Sequence, residues 1–81
     1  MQKVTVKIDG MRCGMCEAHI RDTIRAAQPD AKKVKASRRR GTATFLCNDP
    51  NERSIRRAIN GTGYVFVSLS AEEYKKRGLF G

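Results

Sequence analysis

At 81 residues, 40% of them hydrophobic, the chain has room for one domain with a modest core, and no apolar run approaches the roughly 18 residues that span a bilayer. Seventeen lysines and arginines against eight acids leave a net charge of +9, which favours acidic partners or nucleic acid and is silent about fold. Three cysteines, an odd number, argue against a disulfide scaffold, and the chain opens directly into strand-like residues with no secretory leader, so the expected location is cytoplasmic.

Residues 3–8 alternate Lys3, Val4, Thr5, Val6, Lys7 and Ile8, the pattern of a half-buried strand. Gly10 to Gly14 reads as a loop. A helix is expected from Met15 or Cys16 to Gln28, with Ile20, Ile24 and Ala27 forming its apolar stripe and Pro29-Asp30 stopping it. Lys33 to Ser37 forms a weak strand with Val34 and Ala36 inward. Arg38-Arg39-Arg40-Gly41 is a hairpin turn, and Thr42 to Cys47 a third strand with Ala43 and Phe45 inward. Asp49 caps a second helix, with Pro50 at its first position and Glu52 completing a capping box. That helix carries Ile55, Ala58 and Ile59 and ends near Asn60-Gly61, and Tyr64 to Leu69 is the last strand.

The order βαββαβ predicts an α+β, ferredoxin-like sandwich, two helices on one face of a four-stranded antiparallel sheet. Residues 1–69 form this domain and 70–81 a C-terminal tail. Within the tail Ser70-Ala71-Glu72-Glu73 resembles a capping box and Gly78 a stop, which predicts a short helix over 71–77. Simple alternation places Leu46, Val65, Val67 and Leu69 on the open face of the sheet, and Leu79 and Phe80 are expected to fold back over them.

Gly10-Met11-Arg12-Cys13-Gly14-Met15-Cys16 lies where the first strand gives way to the first helix. Two thiols three residues apart can close on one soft ion, and the first helical turn favours thiolate through its unpaired N–H groups and positive dipole. With Ile20 and Ile24 behind this motif and Gly63-Tyr64 late in the chain, residues 2–69 resemble the heavy-metal-associated domain family of small copper chaperones and P-type ATPase metal-binding domains. The resemblance implies metal ligation by Cys13 and Cys16, the first on the loop and readier to exchange, the second anchored by the helix. It also implies that Met11 points inward and pins the loop, and that Tyr64 stands beside the thiolates and limits solvent access. Zinc- and cadmium-handling members commonly carry Asp where this chain has Arg12.

Two thiolates without a neighbouring carboxylate suit Cu(I) better than Zn(II), which wants four ligands, and Arg12 offsets the negative charge left when two thiolates hold a univalent ion. The expected cofactor is therefore Cu(I), with Zn(II), Cd(II) or Hg(II) handling as the alternative within the family. His19 lies one turn beyond Cys16 and is a candidate minor ligand, although a solvated helix histidine is the commoner arrangement. Met15 reads as a solvated loop residue. Cys47 has the parity of Ala43 and Phe45 and reads as a buried, inert thiol.

No catalytic base, nucleophile pair or cofactor cradle is discernible, so no enzymatic activity is expected. A thiol-disulfide oxidoreductase of thioredoxin type needs a proline opposite its dithiol, and neither Pro29 nor Pro50 is so placed. RNA-recognition domains share the element order, but their third-strand stacking positions hold Thr42 and Thr44 here, which gives bases no platform. The expected partner is thus a copper-transporting P-type ATPase or another acidic acceptor domain, with a metal-bridged homodimer as a further form, and neither nucleic acid nor inserted membrane.

Overall fold

The computed structural model describes residues 1–12 and 14–73. Its elements run β1 (Gln2–Asp9), α1 (Gly14–Ala27), β2 (Lys32–Ser37), β3 (Thr42–Cys47), α2 (Glu52–Gly61) and β4 (Val65–Glu73). The strands form one antiparallel sheet in the order β2-β3-β1-β4. This is the ferredoxin-like βαββαβ fold.

Alternation in the strands and 3.6-residue periodicity in the helices converge on one core. Val4, Val6 and Ile8 of β1, Val34 of β2, and Ala43, Phe45 and Cys47 of β3 pack with Ile20 and Ile24 of α1 and Ile55 and Ile59 of α2. Each fully buried Ile or Phe contributes about 1.5–3 kcal/mol by leaving water, so these apolar stripes outweigh the weak intrinsic propensity of short helices.

Helix α2 starts two residues later than its capping signal predicts. The cap is Asn51, whose side chain accepts the Ser54 N–H at 3.1 Å, rather than Asp49. The reason lies across the molecule. Gln28, just past α1, accepts the Asn51 N–H at 2.9 Å and donates to the Asp49 carbonyl at 3.1 Å, holding 49–51 outside the helix. Pro50 therefore precedes the cap, and Glu52 pairs with Arg56 one turn on at 3.1 Å instead of closing a capping box.

Strand β4 also departs from expectation, running past Leu69 to Glu73. Ser70 to Glu73 pair with β1, Gln2 opposite Glu73 and Val4 opposite Ala71, so 71–73 continue the strand and do not open a helix. Ladder hydrogen bonds to β1 outweigh the local Ser-x-x-Glu signal. A bulge opposite Lys7/Ile8 shifts the register, pairing Ile8 with Phe66 and Val6 with Leu69. Leu69 consequently packs on the core side and not on the open face; Phe66 does likewise, its ring lying 5.4 Å beneath the Arg56 guanidinium of α2. Val65 and Val67 remain about half exposed, whereas Leu46, on the face opposite Phe45 and Cys47, is buried in a hollow shared with Lys3, Lys33 and Lys35. The rest of the helix expected over 71–77, and the folding back of Leu79 and Phe80, lie outside the described residues.

The antiparallel order carries three connections to one end of the sandwich: the β1–α1 loop, the β2–β3 turn and the α2–β4 loop. The opposite end is closed by Gln28.

Candidate metal centre

The Cys-x-x-Cys segment leaves β1 at Asp9 and enters α1 at Gly14. Gly10 turns the chain with φ +104°, a conformation side chains resist, and a Cβ there would lie 3.4 Å from Tyr64 Cδ1. The Tyr64 ring thus roofs the start of the loop, brought there by the α2–β4 connection. Met11 is buried at 7% exposure among the core residues, so its thioether is engaged in packing.

Cys16 occupies the first turn of α1, half-buried and packed against the core. Cys13 lies outside the described residues. Met15, between them in sequence, is 75% exposed, and His19 one turn along is exposed as well. Among the described residues no group of three or more His, Cys, Asp or Glu side chains could hold a metal ion. Cys16 thus places one soft thiol donor at the start of α1, and thiolate sulfur suits soft ions. Cys47 is fully buried on the core side of β3, and burial pushes its thiol pKa up, which leaves it a poor nucleophile.

One contact at this end is invisible in the linear motif. The Arg38 N–H, in the β2–β3 turn, donates to Glu17 Oε2 in α1 at 2.8 Å. Arg38 Nη1 lies 3.6 Å from where a Cβ on Gly14 would be. The same turn is stitched to β1 by the Ile8 N–H to Gly41 carbonyl bond of 2.8 Å. A groove of about 390 Å³ runs between turn and loop, lined by Asp9, Gly10 and Met11 on one side and Arg38–Gly41 on the other. The sequence signal that could have revealed this was the position of the arginine triplet in a hairpin whose turn the topology returns to the metal loop.

Comparison with known proteins accords with this geometry. The sequence profile of the heavy-metal-associated domain matches residues 5–65, three-quarters of the chain. The chain belongs to the heavy-metal-associated domain family. Heavy-metal binding is thereby the family-level property of the domain.

Among solved structures, this heavy-metal-associated domain superposes on a CopZ metallochaperone with a TM-score of 0.70 at 19% identity, covering 83% of this chain and 100% of that one. A copper-binding domain from HMA7, a P-type ATPase, gives a TM-score of 0.69 at 17% identity, with 90% and 96% covered. Oxidized MerP from Ralstonia metallidurans CH34 gives 0.69 at 20% identity, with 90% and 100% covered. At these identities the likeness is one of fold. A comparison with curated protein sequences found no match. No helix among the described residues is long and apolar enough to cross a membrane.

Proposed function

We propose that this domain is a cytoplasmic metallochaperone that carries Cu(I) on Cys13 and Cys16 and passes it to an acceptor such as a copper-transporting P-type ATPase. The observation that supports the reading is the placement of Cys16 in the first turn of α1, after a loop whose Gly10 faces the Tyr64 ring. The N–H groups of that turn favour a thiolate over a thiol. Two sulfurs satisfy Cu(I) and leave it open to attack.

Transfer then proceeds as ligand substitution. An incoming thiolate bonds to the ion while both original bonds persist, one original sulfur departs, and the steps repeat until the acceptor holds the ion. No bond to carbon changes and no electron is transferred, so the domain acts as a carrier and not as an enzyme. Arg39 and Arg40 are exposed in the β2–β3 turn at the same end of the fold, which supports docking of an acidic acceptor over the loop. A second copy of the chain supplying the incoming thiols would give a metal-bridged dimer.

Anaerobic titration with Cu(I) against a buffering thiol, combined with X-ray absorption, tests the reading. The expected result is a single ion per chain with sulfur neighbours, abolished by combining Cys13→Ser with Cys16→Ser. Cu(I) binding that survives the double substitution overturns the assignment of the ligands. Zn(II) held more tightly than Cu(I), each scaled to its cellular availability, overturns the choice of metal.

A further inference from the structure

Arg38 brings a permanent cation onto the metal loop that the Cys-x-x-Cys motif does not itself require. Its backbone N–H is held by Glu17 Oε2 at 2.8 Å, and its Nη1 lies 3.6 Å from where a Cβ on Gly14 would be. Gly14 is the first residue of α1 and lies between the two cysteines in sequence. A guanidinium at a helix's first residue faces the positive end of the helix dipole, where anions and not cations are favoured. Arg12, two residues earlier, adds a second positive charge to the same segment. Glu17 and Asp9 offer carboxylates in return, but Lys7, Arg39 and Arg40 add further positive charge around the same groove. The balance at this end is therefore positive, and it becomes favourable when a species of net negative charge occupies the loop.

The charge of that species depends on the valence of the metal. Two thiolates holding a univalent ion carry a net charge of −1, whereas two thiolates holding a divalent ion are neutral. Building on the Cu(I)-carrier reading above, we propose that Arg38 is a specificity-determining residue that favours univalent over divalent ions at Cys13 and Cys16. Its Nη1 lies 3.6 Å from where a Cβ on Gly14 would be, at the start of the helix that carries Cys16, and exposed charges act over about 8 Å before physiological salt screens them. The attraction strengthens during exchange, when three thiolates around a univalent ion carry −2. Arg38 thus stabilises the bound state and the transfer intermediate by the same means.

Cu(I) and Hg(II) make the discriminating pair, because both accept two sulfurs in a near-linear arrangement, so that coordination number cancels and valence remains. Their affinities for the intact chain, Arg38→Ala, Arg38→Lys and Arg39→Ala are measured by competition with thiol buffers. From a unit charge at such range in a largely solvated setting, Arg38→Ala is expected to lower Cu(I) affinity about three- to tenfold while Hg(II) affinity stays within about twofold. Arg38→Lys restores most of the loss, Arg39→Ala shows little of it, Ag(I) follows Cu(I), and the difference shrinks as salt rises from about 0.05 to about 0.5 M. A Cu(I) to Hg(II) ratio unchanged in Arg38→Ala, or a parallel loss of both affinities, overturns the inference while the carrier reading stands. An intact chain that fails to bind Cu(I) through its cysteines overturns the carrier reading and the inference with it.

Discussion

Gln28 is a buried polar residue in an otherwise apolar interior, and its satisfied hydrogen bonds make it tolerable there. Its amide donates to Asp30 Oδ1 at 2.6 Å and to the Asp49 carbonyl at 3.1 Å, and its oxygen accepts the Asn51 N–H at 2.9 Å. Truncation to Ala leaves backbone groups of the β3–α2 connection without partners, so Gln28→Ala is expected to lose about 1–3 kcal/mol in urea unfolding. Asp30 shares the network. The hydrogen bond from Gln28, followed by that from the Asn48 N–H, holds its carboxyl below the ordinary range. A folded-state pKa lower than the unfolded one contributes stability above the unfolded value and loses it as pH falls through the folded value. Stability should therefore fall on acidification below about pH 4, and Asp30→Asn should flatten that acid limb in urea midpoints measured at stepped pH.

At the scale of elements, the β2–β3 turn does more than reverse the chain. Gly41 adopts φ +65°, and a Cβ there would lie 3.2 Å from the Ile8 carbonyl oxygen at the end of β1. Gly41→Ala combines left-handed backbone strain with that close approach, so a loss of about 1–2 kcal/mol is expected from thermal or urea unfolding. The bulge in β4 is the second device of this kind. It delivers Phe66 and Leu69 to the helical face, and the Asn60 side chain at the end of α2 accepts the Phe66 N–H at 2.9 Å to hold the offset.

Viewed whole, the molecule gathers the β1–α1 loop, the arginine-bearing β2–β3 turn and the α2–β4 connection at one end and its structural polar network at the other. On the proposed carrier reading, a partner docking over the loop meets the β2–β3 turn, where Arg39 and Arg40 are exposed. Reversing both, Arg39→Glu with Arg40→Glu, is expected to slow Cu(I) transfer to an acidic acceptor roughly tenfold at low salt, with the gap closing as salt is added. Stopped-flow transfer rates, taken with the intact and the substituted chain both fully loaded with Cu(I), check this. Equal transfer rates at low salt would remove the turn from the docking surface.

The fold was legible in the residues because its signals are local. Alternation in 3–8 and 42–47, the stripes Ile20-Ile24 and Ile55-Ile59, and Gly10-Met11-x-Cys13-x-x-Cys16 are each complete within a few residues of chain. These determined the βαββαβ order, most of the core and the candidate ligands. Tertiary structure decided the rest. The cap of α2 moved from Asp49 to Asn51 because Gln28, more than twenty residues earlier, holds the segment between them. Leu69 turned inward because a bulge, set by pairing with β1, broke the simple alternation of β4. Arg38 reached Gly14 because the antiparallel order returns the β2–β3 turn to the metal loop. Such contacts join residues distant in the chain, and their partners are chosen by strand pairing, which no short-range pattern encodes.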